Sequence, residues 1–163
     1  MFLLDTDVVW ALRGRGGDAA DDPLFEWVSS LVPGTLFLSV VTMTEFESGI
    51  ARLERRDKAS AAAIRDWLEN RVRPAFQGRV LAIDDAVVRR WAKLGYGEMR
   101  DGLLAATALE HGLTLATRDG GSFKAGKVKT FNPWTFSPDA SDLDWREAAQ
   151  SGPAWLKNLF VRG

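Results

Sequence analysis

Apolar residues fall in short runs along the chain, and most runs end in an acid, a small residue or a glycine. Phe2-Leu3-Leu4 reads as a buried strand that leads into Asp5-Thr6-Asp7; Val8 to Leu12 then resume as a helix, which the Gly-Arg-Gly-Gly stretch at 14–17 breaks. Asp22 and Pro23 suit the cap and first position of a helix over 23–32. After Pro33-Gly34, residues 35–41 read as a strand. Thr42 then opens a helix to about Glu54, and a helix over 58–72 puts Ile64, Trp67 and Leu68 on one face. Residues 79–83 form a further strand, and Asp84 caps a helix to Leu94. Gly95-Tyr96-Gly97 interrupts the pattern, and Asp101 caps a helix over 102–110. Residues 113–117 and 128–131 are the last strands, separated by a turn at Gly120-Gly121. Strands alternating with helices predict an α/β fold with a mainly parallel sheet flanked by helices. Residues 135–163 depart from this pattern, being acidic at first and then apolar with basic ends. The expected division is a domain over 1–134 and a C-terminal extension over 135–163 that packs on it or docks a partner.

Composition narrows the chemistry. The chain has 163 residues and a formal net charge of −1, so it carries no overall positive field and any contact with nucleic acid must be local. It has no cysteine, which excludes disulfides, thiolate metal sites and thiol nucleophiles. The single histidine, His111, precedes Gly112 at a helix stop, the ordinary place for a cation-prone side chain. Any chemistry therefore falls to carboxylates. No apolar run approaches the roughly 18–20 residues of a membrane span, and no basic segment precedes an apolar one at the N-terminus. The expectation is a cytoplasmic protein with no membrane partner.

In an open parallel sheet, ligands bind beyond the carboxyl ends of the strands. Asp5 and Asp7 follow the first strand, Glu45 lies early in the helix after the second, Asp101 opens a later helix, and Asp119 follows the fourth strand. Each has a structural reading as well. Thr42-x-x-Glu45 is a capping box, Asp101 an N-cap, Asp119-Gly120 a turn pair and Asp7 a local cap. Their conjunction at one rim points elsewhere, because crowded carboxylates repel one another unless a cation lies among them. An all-oxygen set without histidine suits Mg²⁺ or Mn²⁺, and such an ion can activate water against a phosphodiester.

The same residues resemble the PIN-domain ribonucleases, and within them the VapC-type toxins of bacterial toxin–antitoxin pairs. The resemblance is carried by FLLDTDVVWALR, LFLSVVTMTEFESGIARL, RDGLLAATALEHGLTLATRD and VKTFNPW, which together span nearly all of residues 1–134 in order. It implies a PIN-like three-layer fold and a Mg²⁺- or Mn²⁺-dependent endoribonuclease with Asp5, Glu45, Asp101 and Asp119 as the acidic quartet. Asp5 and Asp101 would dominate metal contact, while Glu45 and Asp119 would shape the site or a second metal position. Thr117 or Thr6 would orient Asp5. The implied partners are an RNA substrate, a cognate antitoxin and a second copy in a homodimer. Two features depart from the pattern. An acid, Asp119, stands where relatives often have asparagine, with Ser122 at the place of their later aspartate, and the stretch from Trp91 to Asp101 is shorter by roughly ten residues.

RNA affinity would come from phosphate contacts, for which Arg13, Arg15, Arg52, Arg55, Arg56, Lys58, Lys124, Lys127 and Lys129 are candidates. Arg118 could pair locally with Asp119. Gly121 to Lys127 imitates a phosphate-binding loop, but Val128 replaces the required hydroxyl and a strand follows instead of a helix. Two other functions compete with the nuclease. One is an inactive PIN scaffold that binds RNA or protein. The other is a carboxylate-metal phosphatase of the haloacid dehalogenase type, with Asp5 as nucleophile and Asp7 as acid.

Overall fold

The computed structural model describes residues 1–13 and 22–137. The Gly14–Gly17 break, Arg15, Trp145, Trp155 and nearly all of the C-terminal extension lie outside the described residues.

Five strands form one sheet, β1 (Phe2–Leu4), β2 (Leu36–Ser39), β3 (Val80–Leu81), β4 (Thr114–Ala116) and β5 (Thr130–Phe131). Their order is β3-β2-β1-β4-β5, and every neighbouring pair is parallel. The chain winds outward from β1 through β2 to β3, then returns to lay β4 against the other side of β1. The reversal point of a wound sheet, where its crevice opens, therefore lies between β1 and β4. The helices are α1 (Thr6–Arg13), α2 (Pro23–Ser30), α3 (Val40–Glu54), α4 (Lys58–Trp67), α5 (Arg73–Ala75), α6 (Asp85–Trp91) and α7 (Met99–Glu110).

Alternation along β1 divides the core into two layers. Leu4 faces a cluster with Val8, Leu12, Leu24, Trp27, Phe46 and Trp67, whereas Leu3 faces Leu104, Ala105, Ala108, Leu115 and Phe123. Ala105, Ala106 and Ala108 are fully buried, so α7 lies close against the sheet. Several helix starts follow the sequence reading. Asp22 accepts a hydrogen bond from the Leu24 amide at 2.9 Å with Pro23 next to it, and Asp84 accepts from the Val87 amide at 2.9 Å.

Three boundaries differ, for physical reasons. Helix α3 begins at Val40, because Ser39 turns its hydroxyl to the Val41 amide at 3.2 Å and ends the strand two residues early. The helix over 58–72 stops being regular at Trp67 and continues as a π-helical turn, Leu68–Val72, just before Pro74, which has no amide to donate backwards. Helix α7 begins at Met99, and Asp101 is not its cap but lies within its first turn.

Candidate active site

The rim at the carboxyl ends of β1, β2 and β4 is built by side chains that these boundary shifts place. Asp5 follows β1 directly and is 4% exposed. Its Oδ1 accepts from the Thr6 amide at 2.7 Å, and its Oδ2 accepts from Thr117 Oγ1 at 2.8 Å across the β1/β4 crevice. Thr117 is itself 1% exposed and stands just beyond β4. Two neutral donors, one on each oxygen, thus fix the direction of the carboxylate.

Glu45 does not form the expected capping box. Thr42 is fully buried, and its hydroxyl donates to the Leu4 carbonyl at 3.4 Å; because α3 starts at Val40, Glu45 lies beyond the first turn and is free to point across the rim. There Glu45 Oε2 accepts a short hydrogen bond from the Thr6 hydroxyl. Asp7 is not a cap for α1 either. Its Oδ2 accepts from the Arg118 amide at 3.0 Å, which ties α1 to the segment after β4, and its buried Oδ1 has no partner. Burial, with the Asp5 charge second, pushes the Asp7 carboxyl above the ordinary aspartate range.

The centre of the rim is a residue that sequence reasoning overlooked. Arg100, in the first turn of α7, contacts three acids from three different elements. It pairs with Asp5 Oδ1 through Nη2, Asp101 Oδ1 through Nη1 at 2.7 Å, and Glu45 Oε1 through Nε at 3.0 Å. The Nε contact is an ion pair without a directed hydrogen bond. Burial works against the Arg100 charge, but the contacts with Glu45 and Asp101 and the field of Asp5 outweigh it and leave the guanidinium more firmly protonated than usual. The available signal was the adjacency Arg100-Asp101 after a shortened connection, since three acids converging on one rim require positive charge.

Asp119 lies apart from this triad. Its Oδ1 accepts from the Gly121 amide at 3.0 Å and the Ser122 amide at 3.4 Å, and its Oδ2 accepts from the Ser122 hydroxyl at 2.5 Å. The Ser122 hydroxyl, then its amide, hold the Asp119 carboxyl below the ordinary range. A thread still joins it to the rim, because its amide donates to Thr117 Oγ1 at 3.3 Å. Among the candidate RNA contacts, Arg13 stacks near Trp10 and Trp67, at 5.4 and 5.8 Å from the ring centres. Arg118 stacks on Trp134 at 4.1 Å instead of pairing with Asp119. The segment imitating a phosphate loop is a 3₁₀ turn, Gly120–Gly126, that runs on to β5.

By donor type the rim fits a hard divalent ion: it is all oxygen, and its three acids already share one cation, the guanidinium. With Arg100 among them, no three acidic or imidazole side chains among the described residues stand close enough together to hold an ion.

A wound parallel sheet opens its ligand crevice at the reversal point, where these acids gather, and comparison with known proteins gives the fold a family. The PIN domain model matches residues 2–128, and the chain belongs to the PIN-domain family. Toxin FitB of Neisseria gonorrhoeae is 38% identical over 143 residues, covering 82% of this chain and 99% of that protein. VapC ribonuclease Y4jK of Sinorhizobium fredii is 34% identical over 142 residues, covering 82% and 98%. The crystal structure of FitAcB from Neisseria gonorrhoeae superposes with a TM-score of 0.72 at 36% identity, covering 83% of this chain and 100% of that one. No helix among the described residues is long and apolar enough to cross a membrane.

Proposed function

We propose that this protein is a metal-dependent endoribonuclease that hydrolyses RNA phosphodiester bonds, acting in the cytoplasm as the toxin of a toxin–antitoxin pair. The observation that carries the reading is the meeting of Asp5, Glu45 and Asp101, from three elements remote in sequence, around one positive charge at the reversal point of the sheet. The relatives support it. They include a protein named a VapC ribonuclease and a toxin, FitB, and a similar structure is titled FitAB bound to a DNA fragment.

Asp5, Glu45 and Asp101 would hold Mg²⁺ or Mn²⁺ directly. A bound ion of this kind supplies an acidified water and charge stabilisation for the phosphoryl oxygens. Thr117 and the Thr6 amide aim the Asp5 carboxylate, and the Thr6 hydroxyl aims Glu45, so these two acids keep neutral donors besides the guanidinium. Asp119, engaged by its own turn, shapes the edge of the site. The Thr6 and Thr117 hydroxyls of the rim are engaged as donors to Glu45 and Asp5, so the proposed chemistry is direct attack by water. Asp7 Oδ2 accepts from the Arg118 amide and does not join the three acids around Arg100, so Asp7 is left out of the proposed metal set. The cognate antitoxin and a homodimer complete the proposal.

The test is cleavage of a defined RNA by the purified protein with Mg²⁺, with chelator, and by Asp5→Asn. Cleavage by the parent with Mg²⁺ alone, and relief of growth arrest by Asp5→Asn in a folded protein, are expected. Equal cleavage by parent and variant, or cleavage that persists in chelator, overturns the assignment. A parent that binds RNA without cutting it establishes the inactive scaffold, a reading that the filled centre of the rim favours.

A further inference from the structure

Arg100 is placed with little freedom of backbone. The connection between α6 and α7 is pinned at Tyr96, whose hydroxyl donates to the Phe123 carbonyl at 2.9 Å and accepts from the Gly126 amide at 3.1 Å. One residue past Asp101, Gly102 lies beneath Trp91, and a Cβ there would meet Trp91 Cδ1 and Nε1 at 2.6 Å. The first turn of α7 is therefore wedged between Trp91, Tyr96 and the sheet, and Arg100 extends from it into the acids. The Arg100 side chain is still 33% exposed, and its chain neighbours Glu98 and Met99 are exposed as well. A rotation about side-chain bonds, with the helix left in place, would take it out.

The charge count gives this position its meaning. Three ionised acids carry three negative charges, and a guanidinium, which does not lose its proton, returns only one. Its planar fork spreads that charge over contacts with all three acids, and with it in place no three acids among the described residues are grouped to hold an ion. A divalent ion returns two charges from a single point and needs the same oxygens, Asp5 Oδ1, Glu45 Oε1 and Asp101 Oδ1.

We propose that Arg100 is a built-in competitor for the metal, occupying the place of the divalent ion between Asp5, Glu45 and Asp101 and giving it up when the ion binds. Metal loading then includes the cost of breaking three ion pairs within the chain, and the metal-free site is closed by the protein itself. The inference rests on the proposed assignment of these acids as metal ligands. It differs from a purely structural role, in which Arg100 only ties α7 to β1 and α3. Removing a structural tie weakens the fold and loosens the acids, so metal binding stays the same or falls. Removing a competitor makes metal binding tighter.

The experiment is calorimetric titration of the full chain with Mn²⁺ alone, at fixed pH and salt, for the parent, Arg100→Gln, Arg100→Lys and the Asp5→Asn/Arg100→Gln double variant. Arg100→Gln is expected to bind Mn²⁺ tighter by about tenfold or more, the order for removing one competing charge from a partly solvated site. Arg100→Lys keeps the charge but cannot span three carboxylates, and it falls between the two. The double variant loses the gain, which places the ion at these acids. Without metal, Arg100→Gln melts at a lower temperature than the parent and recovers more when Mn²⁺ is added. If Arg100→Gln does not fold without metal, tighter binding by Arg100→Lys than by the parent supports the competitor role in its place. Binding by the parent that neither variant improves overturns the competitor role and leaves the metal assignment standing. No Mn²⁺ binding by the parent or by any variant overturns both.

Discussion

Replacing Thr117 by valine keeps the shape of a buried side chain and removes one hydroxyl, the donor to Asp5 Oδ2 at 2.8 Å. Both residues are almost fully buried, at 1% and 4% exposure, so water cannot readily take the hydroxyl's place. A hydrogen bond to a charged group contributes about 1.5–3 kcal/mol, and that is the expected loss of unfolding free energy. The Asp119 amide loses its acceptor at 3.3 Å too, but Asp119 is exposed and water substitutes at little cost. In an Asp5→Asn background the same hydroxyl meets a neutral amide, where it is worth about 0.5–1.5 kcal/mol, so the two changes should couple by about 1 kcal/mol. Urea unfolding followed by the fluorescence of the buried Trp27 and Trp67 measures all four corners of the cycle. The reasoning also predicts a loss of metal affinity or cleavage of about ten- to a hundredfold in Thr117→Val, because Asp5 is no longer aimed. An equal cost of Thr117→Val in the two backgrounds would show that the hydroxyl does not hold the carboxylate, and would refute the account of how Asp5 is oriented.

Two glycines should respond with opposite sign. Gly102→Ala drives a methyl into Trp91 at 2.6 Å and should cost about 1–3 kcal/mol, whereas Gly49→Ala, with nothing within 4 Å in the middle of α3, should gain about 0.5–1 kcal/mol; thermal melts compare them, and the same sign for both would contradict the packing described. Asp57 caps α4, and the Ser60 hydroxyl and then its amide lower its carboxyl below the ordinary range. Its stabilising contribution is complete above the ordinary aspartate range and is lost as pH falls through the folded value. Asp57→Asn should therefore flatten the acid limb of stability against pH, measured by urea midpoints across that limb, and an unchanged limb would refute it.

Much of the frame is legible in the sequence because local signals agree there. A strand ends in Asp5, Asp22-Pro23 opens α2, and Asp84 opens α6. The misread boundaries are places where two local rules compete. Val40-Val41-Thr42 looks like a strand by β-branching, yet the Ser39 hydroxyl caps a helix at that point, and tertiary burial of Thr42 removes it from the capping box. Asp101 looks like a cap because it is the acid nearest the helix, yet helical turns begin two residues earlier at Met99. Both shifts serve the site, since they leave Glu45 and Asp101 free to face inward instead of satisfying backbone amides. For Arg100 the one signal was its adjacency to Asp101, which does not report its partners. Its role depends on acids 55 and 95 positions away in the chain, and no local pattern reports that distance.

The winding order of the sheet also sets a timetable. The central strand β1 is made first, but its neighbour β4 lies more than a hundred residues downstream, and Thr117 bonds to Asp5 across a separation of 112 residues. During synthesis, a growing chain carries Asp5 and then Glu45 long before Asp101 and Thr117 exist. Pairing across so large a span is slow and comes late in folding. A nascent or prematurely terminated chain that stops short of residue 101 therefore lacks both Asp101 and Thr117, and its rim cannot close until they have been made.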